Sequence, residues 1–252
     1  MYEKWKKLFV LSLLAIAPSV VGAEEQRWLG EGPWYGSVRF GLLSDVSSDG
    51  RFVGPTESVY GGTPLIEMDD GSQVSFVFGR EFLDNWRLGF ELSYLASESE
   101  SSPMLGMELR SDDVFNLQAD VDSLIFMANL GYDFDNLNWW AKPYLRGGIG
   151  VASTDVNATL SVEYNSSIWS GTVYEGQTVT NHVFPEGNSS EFTWNVAAGF
   201  KKKLAERFDL RLEYSHLNRG EAWSGVDEGD DFVSFSDIES QQITLGVDYR
   251  FD

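Results

Sequence analysis

Polar and apolar residues alternate along most of this chain, and the last twelve residues, QQITLGVDYRFD, show the pattern clearly. Ile243, Leu245 and Val247 share one face of an extended segment, whereas the residues between them are polar or small. Successive side chains of a β-strand leave opposite faces, so this period of two predicts a strand with one apolar and one polar face. The same alternation predicts eight strands, at residues 34–43, 73–82, 86–96, 123–134, 140–151, 192–200, 208–217 and 241–252.

The connections between these predicted strands alternate in length. Short ones lie near residues 83–85, 135–138 and 202–207, and long ones cover residues 44–72, 97–119, 153–190 and 218–239. Short turns at one end and long loops at the other are typical of an outer-membrane barrel. We therefore predict an all-β fold, an eight-stranded antiparallel up-and-down transmembrane β-barrel with long external loops.

Alternation alone also fits a water-soluble β-sandwich, whose polar face meets water. The aromatic residues favour the barrel, because they gather where the predicted strands meet the short turns. Membrane barrels carry such a girdle at the interface between lipid and water. The predicted girdle consists of Trp34, Trp86, Phe134, Trp139, Trp140, Phe208, Tyr249 and Phe251.

The polar faces of the predicted strands carry both signs of charge in nearly equal number. A barrel of eight strands has an interior that its own side chains can fill, and charges confined there must be paired. We therefore predict an ion-paired, closed lumen, with a narrow pore for small or apolar solutes as the alternative. The candidate ion-pair residues are Arg39, Arg87, Glu91, Asp133, Lys142, Arg146, Asp209, Arg211, Glu213, Asp248 and Arg250.

The N-terminal segment has the features of a cleaved secretory signal. Lys4, Lys6 and Lys7 precede an apolar run at residues 8–17, and small residues follow at 21–23. This order predicts a signal peptide at 1–23, a periplasmic segment at 24–32 and an outer-membrane barrel at 33–252. Later in the chain no apolar run approaches the ~20 residues that a transmembrane helix needs.

The chain is acidic, with 39 Asp and Glu against 18 Lys and Arg, a net charge of -21 and no cysteine. This balance excludes nucleic acid as a partner, because backbone binding needs a basic surface. Most of the negative charge falls in the four long predicted loops. Hard divalent cations prefer clustered carboxylates, so the candidate metal residues are Asp69, Asp70, Asp227, Glu228, Asp230 and Asp231. The spacing is not that of an EF-hand, and solvated charge with at most loosely bound cations is the favoured interpretation.

Four segments, WAKPYLRGGIGVA, FTWNVAAGF, RFDLRLEYSHL and ITLGVDYRF, resemble strands of the small outer-membrane β-barrel family that includes the opacity-type surface antigens and the barrel domain of OmpA. The resemblance implies a bacterial outer-membrane location, with membrane lipid, lipopolysaccharide and the barrel-assembly machinery as partners. The chain departs from the family in one respect. Such proteins usually end on an aromatic residue, whereas here Asp252 follows the aromatic Phe251.

His216 is the candidate for catalysis, since the resemblance extends to barrels of this size that are lipid A deacylases or acyltransferases. The deacylase pattern is His-x-Ser-Asn, whereas this chain reads His216-Leu217-Asn218-Arg219 and has no serine at the nucleophile position. His182 lies in a predicted loop without a partner pattern. We therefore expect neither an enzyme nor a cofactor. The expected function is that of a structural or adhesin-like surface protein with an unidentified extracellular ligand, and a lipid A-modifying enzyme is the alternative.

Overall fold

The computed structural model describes residues 32–53, 68–82, 85–104, 114–135, 137, 139–163 and 178–251. The predicted signal peptide and most of the predicted periplasmic segment lie outside these ranges, so those boundaries stay predictions. Among the described residues, no helix is long and apolar enough to span a membrane.

The described residues form ten antiparallel strands, of which eight close a ring. Their bounds are β1 Trp34–Val53, β2 Met68–Phe82, β3 Trp86–Met104, β4 Val114–Asp133, β5 Lys142–Glu163, β6 Thr178–Val183, β7 Gly187–Lys203, β8 Phe208–Asn218, β9 Ala222–Trp223 and β10 Phe232–Phe251. The ring order is β1-β2-β3-β4-β5-β7-β8-β10, and β10 pairs back onto β1. The short β6 and β9 pair with β5 and β10. The predicted eight-stranded up-and-down barrel is confirmed.

The barrel has two halves along its axis. The short-turn half comprises residues 34–42, 74–82, 86–94, 124–133, 142–151, 192–203, 208–216 and 241–251, and the long-loop half comprises the remaining strand residues. In the short-turn half, Phe40, Phe90 and Leu145 point outward and are more than half exposed. Arg39, Glu91 and Arg146 alternate with them and are buried inside. The alternation of the sequence is therefore that of an apolar outer wall around a polar lumen.

The strands extend much further than their alternation predicts. Residues 44–53, 114–119, 153–163 and 232–239 were expected in loops, and all of them lie in strands. The reason is visible on β5, where Ile149 and Val151 point outward but Val156, Ala158 and Leu160 point inward. The apolar face thus changes sides along one strand. A prediction that follows one continuous apolar face therefore ends the strand at this change, although the strand continues.

Glycines open room for two large rings inside the short-turn half. A Cβ at Gly79 or Gly89 would lie 2.7 Å from the Tyr35 hydroxyl oxygen, and a Cβ at Gly199 would lie 2.8 Å from the Tyr144 ring. Glycine is required at these positions because the ring of each tyrosine lies against the backbone of the neighbouring strands.

Candidate functional site: the closed lumen

A square of ion pairs crosses the middle of the short-turn half. Arg39, Glu91, Arg146 and Glu213 come from every second strand of the ring, and each occupies an inward position of its own strand. Arg146 Nη1 lies 2.6 Å from Glu91 Oε2, and Arg146 Nη2 lies 2.6 Å from Glu213 Oε1. Arg39 Nη1 lies 3.6 Å and 3.8 Å from the same two carboxylates. This upper cluster joins opposite walls of the barrel.

Neutral polar groups complete the upper cluster. Asn129 Nδ2 donates to Glu91 Oε2 at 2.9 Å, and Arg146 Nη1 donates to Asn129 Oδ1 at 2.7 Å. The Tyr144 hydroxyl donates to Glu213 Oε2 at 3.0 Å. A buried carboxylate is costly unless its oxygens accept several hydrogen bonds, and these donors supply them.

A second cluster lies nearer the short turns. Arg87 and Lys201 both pair with Asp133, and Arg211 pairs with Asp248. Arg87 Nη1 also lies 3.6 Å from Asp248 Oδ2, which joins the five residues into one lower cluster. The Tyr144 ring separates it from the upper cluster, with the Arg87 and Arg211 guanidinium carbons 5.5 Å and 4.9 Å from the ring centroid. Cation–π contacts of this length stabilise the stack.

Two predicted lumen residues lie at the short-turn mouth rather than in the interior. Lys142 was expected in the lumen, but as the first residue of β5 it reaches solvent, where it pairs with Asp135 at 2.7 Å. Arg250 is partly exposed and lies 3.3 Å from the buried Asp209. The structure places the other predicted members, listed here, inside the barrel: Arg39, Arg87, Glu91, Asp133, Arg146, Asp209, Arg211, Glu213 and Asp248.

The mouth itself is an open vestibule of about 330 Å³. Trp86, Trp139 and Trp140 line one part of it, and Lys201, Lys202 and Lys203 line another. The vestibule ends at Arg87 and Asp133, members of the lower cluster. Solvent therefore enters the barrel from the short-turn end only as far as this cluster.

The opposite half is closed by apolar side chains. Buried residues from five strands and one connection fill it: Leu43, Val46, Leu95, Ala119, Val121, Val156, Ala158, Leu160, Phe184, Val233, Phe235 and Ile238. A polar interior and an apolar interior are thus stacked in one barrel.

Arg219, which directly follows β8, places a fully buried charge within this apolar half. Its side chain is fully buried, and its Nη1 donates to Ser123 Oγ on β4 at 3.2 Å. Neither Nε nor Nη2 has a hydrogen-bond partner among the described residues. Burial lowers the pKa of Arg219 to about 10, which leaves the guanidinium charged at neutral pH.

The predicted girdle residues lie at the short-turn end of the barrel. Trp34, Trp86, Trp139 and Trp140 are exposed, and Trp34 stacks on Phe78 with ring centroids 5.1 Å apart. The remaining predicted members are Phe134, Phe208, Tyr249 and Phe251, of which the last three form a chain of ring contacts at 5.1 Å. The arrangement is an aromatic band around one end of an apolar wall.

The candidate metal residues are not brought together into a cation site by the described part of the chain. Asp227 Oδ1 accepts from the backbone N–H groups of Gly229 and Asp231 at 2.7 Å and 2.8 Å, so this carboxylate shapes its own turn. Glu228 and Asp230 are exposed, and the side chains of Asp69 and Asp70 lie outside the described residues. No group of three His, Cys, Asp or Glu side chains that could hold a metal occurs within the described residues.

His216 lies on the outer wall, at the border between the two halves. Its ring is 5.4 Å from the Trp194 ring, and its Nε2 lies 3.8 Å from Glu239 Oε2. The side chain of His182 lies outside the described residues.

Sequence reasoning missed two charged residues of the interior. Lys201 belongs to the run Lys201-Lys202-Lys203, which looks like a solvated turn, although it continues the inward positions Ala197 and Gly199 of β7. Arg219 fell in a predicted loop, and only the folded barrel places it opposite Ser123. Strand parity could have indicated Lys201, but no sequence signal indicated Arg219.

The sequence matches the family described as outer membrane protein beta-barrel domain over residues 9–251. The crystal structure of the outer membrane protein OprG from Pseudomonas aeruginosa is similar, with a TM-score of 0.56, 15% identity and coverage of 88% of this chain and 98% of OprG. The solid-state NMR structure of the outer membrane protein AlkL is similar with a TM-score of 0.51 and 14% identity, covering 91% of this chain and 95% of AlkL. No curated protein sequence matches the chain. At these identities the structural likeness shows the fold.

Proposed function

The chain belongs to the outer membrane protein β-barrel family and lies in the bacterial outer membrane, and we propose that it is a non-conducting surface protein. In this role the barrel anchors an acidic outer region, whose contacts with other molecules are structural or adhesin-like. The observation that carries the proposal is the closure of the lumen at two levels by different chemistry.

The first level is the upper cluster in the short-turn half. Its four charged side chains, Arg39, Glu91, Arg146 and Glu213, are at most 8% exposed. Opening a path for ions here requires separation of charge pairs 2.6 Å apart, and the separated charges would lie in a confined interior. Removing one partner of a buried pair costs about 3–5 kcal/mol. The closed state is therefore strongly favoured.

The second level is the apolar interior of the long-loop half. Leu95, Val121 and Ile238 have no measurable exposure. Side chains this completely buried leave no continuous water path, and a dry apolar constriction is itself a barrier to ions. A solute would have to unpack this region before it reached the upper cluster.

The outward surface of the long-loop half is acidic. The exposed or half-exposed acidic residues described there include Asp120, Asp122, Asp155, Glu186, Glu221, Asp237 and Glu239. Its described basic side chain, Arg219, is buried. Such a one-signed surface attracts cationic ligands and repels bare phosphate, so contact with lipopolysaccharide requires bridging divalent cations.

Conductance in planar bilayers tests the proposal. The full chain, folded into lipid, should give no discrete conductance steps. A variant with both Arg146→Ala and Glu213→Ala, which removes the centre of the upper cluster, serves as the comparison for the first level of closure. Regular conductance steps from the unmodified chain would contradict the proposed non-conducting role.

Catalysis is not included in the proposed role. His216 contacts Trp194 and Glu239, and in its immediate sequence no serine occupies the nucleophile position of the deacylase pattern. Mass analysis of lipid A from cells with and without the chain tests this point. The enzyme would be favoured instead if lipid A lost an acyl chain only when the protein is present and kept that acyl chain in cells with a His216→Ala variant.

A further inference from the structure

A small cavity lies between the upper and lower clusters, and its volume is about 10 Å³. Arg39, Arg87, Arg146 and Arg211 line it, together with Tyr35 and Tyr144. No carboxylate of the described chain lines it. A volume of this size holds one particle about as large as a water molecule.

Three of these four arginines carry buried donors without an acceptor. Arg39 Nη1, Arg87 Nε and Arg211 Nη2 have no hydrogen-bond partner among the described residues. The two carboxylates nearest to Arg39 Nη1 lie at 3.6 Å and 3.8 Å, beyond hydrogen-bond length. Each buried unsatisfied donor is costly, and more so on a charged group. An acceptor placed among these donors would remove that cost.

The local charge favours an acceptor that is negative. The lower cluster contains three cations, Arg87, Lys201 and Arg211, but only two carboxylates, Asp133 and Asp248. Two further carboxylates lie at this level: Glu81 is partly exposed at the mouth, and the buried Asp209 is balanced by Arg250 at 3.3 Å. The upper cluster is balanced, with two cations and two carboxylates. The side of the cavity nearer the short turns therefore has an excess of positive charge.

Water fits this lining less well than an anion does. A water molecule brings two donors of its own and needs acceptors for them. The only side-chain acceptors of the described lining residues are the tyrosine hydroxyls and Asn129 Oδ1, and the latter already accepts from Arg146 at 2.7 Å. An anion needs donors alone, which four guanidinium groups supply.

We propose that a single halide ion occupies this cavity and is a structural ligand of the closed lumen. The volume excludes carboxylate, phosphate and sulfate, which have several heavy atoms. The ion would accept hydrogen bonds from arginines of both clusters and so tie the two clusters together. This site is independent of the proposed surface role, and either could fail without the other.

Unfolding equilibria test the site. The full chain is folded into detergent micelles in sodium bromide or in sodium gluconate at equal ionic strength, and the urea transition is measured. A ligand that binds only the folded state multiplies the ratio of folded to unfolded protein by one plus its concentration divided by its Kd. Above the Kd, each tenfold increase in bromide should therefore raise that ratio about tenfold, whereas gluconate should not. Equal stability in the two salts would overturn the proposal.

A glycine on the cavity wall allows a matched pair of variants. A Cβ at Gly131, which lines the cavity, would meet no atom closer than the Leu145 carbonyl oxygen at 3.5 Å. A Cβ at Gly147, on the outer wall, would meet nothing closer than the Asn195 carbonyl oxygen at 3.8 Å. Gly131→Ala should fill the cavity and abolish the bromide dependence, and Gly147→Ala should keep it. Bromide dependence that survives in Gly131→Ala would place the ion elsewhere and overturn the proposal.

A second variant and a direct measurement keep the test decisive if Gly131→Ala does not fold. Lys201→Met removes the unbalanced cation without touching the cavity lining, and it should weaken the bromide dependence at least tenfold in Kd. Anomalous diffraction from crystals grown in bromide should show one peak between Arg39 and Arg211. Density without an anomalous signal at that position would identify water and contradict the halide assignment.

Discussion

The same strands run through both halves of this barrel, but their apolar side chains point outward in the short-turn half and inward in the long-loop half. In the short-turn half, Phe90 and Leu145 point out to lipid, and Glu91 and Arg146 point into the lumen. In the long-loop half, Val121 and Val156 point in, and Asp120 and Asn157 point out. The surroundings explain the change, because the outer face of one half meets lipid and that of the other meets water. A side chain's effect on stability therefore depends on the half in which it lies as well as on its face.

The largest expected effect is in the polar interior. Glu213→Gln removes the carboxylate that accepts from Arg146 and Tyr144, which leaves two buried guanidinium groups, Arg39 and Arg146, to share the single carboxylate of Glu91. The free energy of unfolding should fall by about 3–5 kcal/mol. Urea unfolding of the folded chain in micelles measures it. Ser215→Ala, two residues further on the same face, loses one hydrogen bond of 3.3 Å and should cost about 1 kcal/mol. Equal losses for the two variants would mean that the upper cluster is not the stabilising unit.

The second effect separates the two outer faces. Phe90, 52% exposed and stacked on Phe126, should lie at membrane depth. Phe90→Arg should therefore cost about 2–4 kcal/mol in lipid vesicles. Asn157→Arg introduces the same residue on the outward face of the long-loop half, where water surrounds it, and should change stability by less than about 0.5 kcal/mol. If both variants unfold alike in vesicles, the division between lipid-facing and water-facing wall is misplaced.

The third effect concerns the fully buried charge of Arg219 in the apolar interior. Arg219→Met should raise the free energy of unfolding by about 1–3 kcal/mol, because methionine fills a similar volume without a buried charge. The gain is reduced by the lost hydrogen bond to Ser123. The low pKa of Arg219, about 10, is the sign of this cost.

The sign of the pH dependence follows from linkage. The folded state holds the Arg219 proton less tightly than the unfolded state does, so the cost is fully present below pH 10 and is relieved only at higher pH. The gain from Arg219→Met should thus be equal at pH 6 and pH 9, as measured by urea unfolding. A loss of stability in this variant would show that Arg219 has an anionic partner in the folded protein.

The smallest effect is in the outer turn formed by Asp227. Asp227→Ala removes an acceptor for two backbone N–H groups and should lower the local stability of this turn by about 1 kcal/mol. The expected readout is faster protease cleavage near residues 224–231 and nowhere else. Asp227→Asn keeps a carbonyl oxygen in place and should behave as the unmodified chain. If chelation speeds cleavage in the unmodified chain but not in Asp227→Asn, then a bound cation rather than the turn holds this segment.

The alternation of the sequence was sufficient to predict the short-turn half. Lipid on one side and a narrow polar lumen on the other impose opposite requirements on neighbouring residues. Segments such as 208–217 and 241–252 therefore alternate between apolar and polar residues. The strands were not predicted beyond the outer edge of the membrane, because there the outward face must be polar and the inward face apolar. Short inward residues such as Ala158 and polar outward ones such as Asn157 look like loop sequence when read with the original phase.

By itself, then, the sequence determined the closed all-β architecture and most of the side chains of the short-turn half that face inward. Only the tertiary structure decided which of those side chains meet: Glu91 and Glu213 both pair with Arg146, although 55 and 67 residues separate them from it. It also carried Lys201 into the lower cluster and the side chain of Arg219 across the lumen to Ser123. The reason is physical. Strand parity is a property of neighbouring residues, whereas the pairing of charges depends on ring closure and register, which bring distant strands to one level of the barrel.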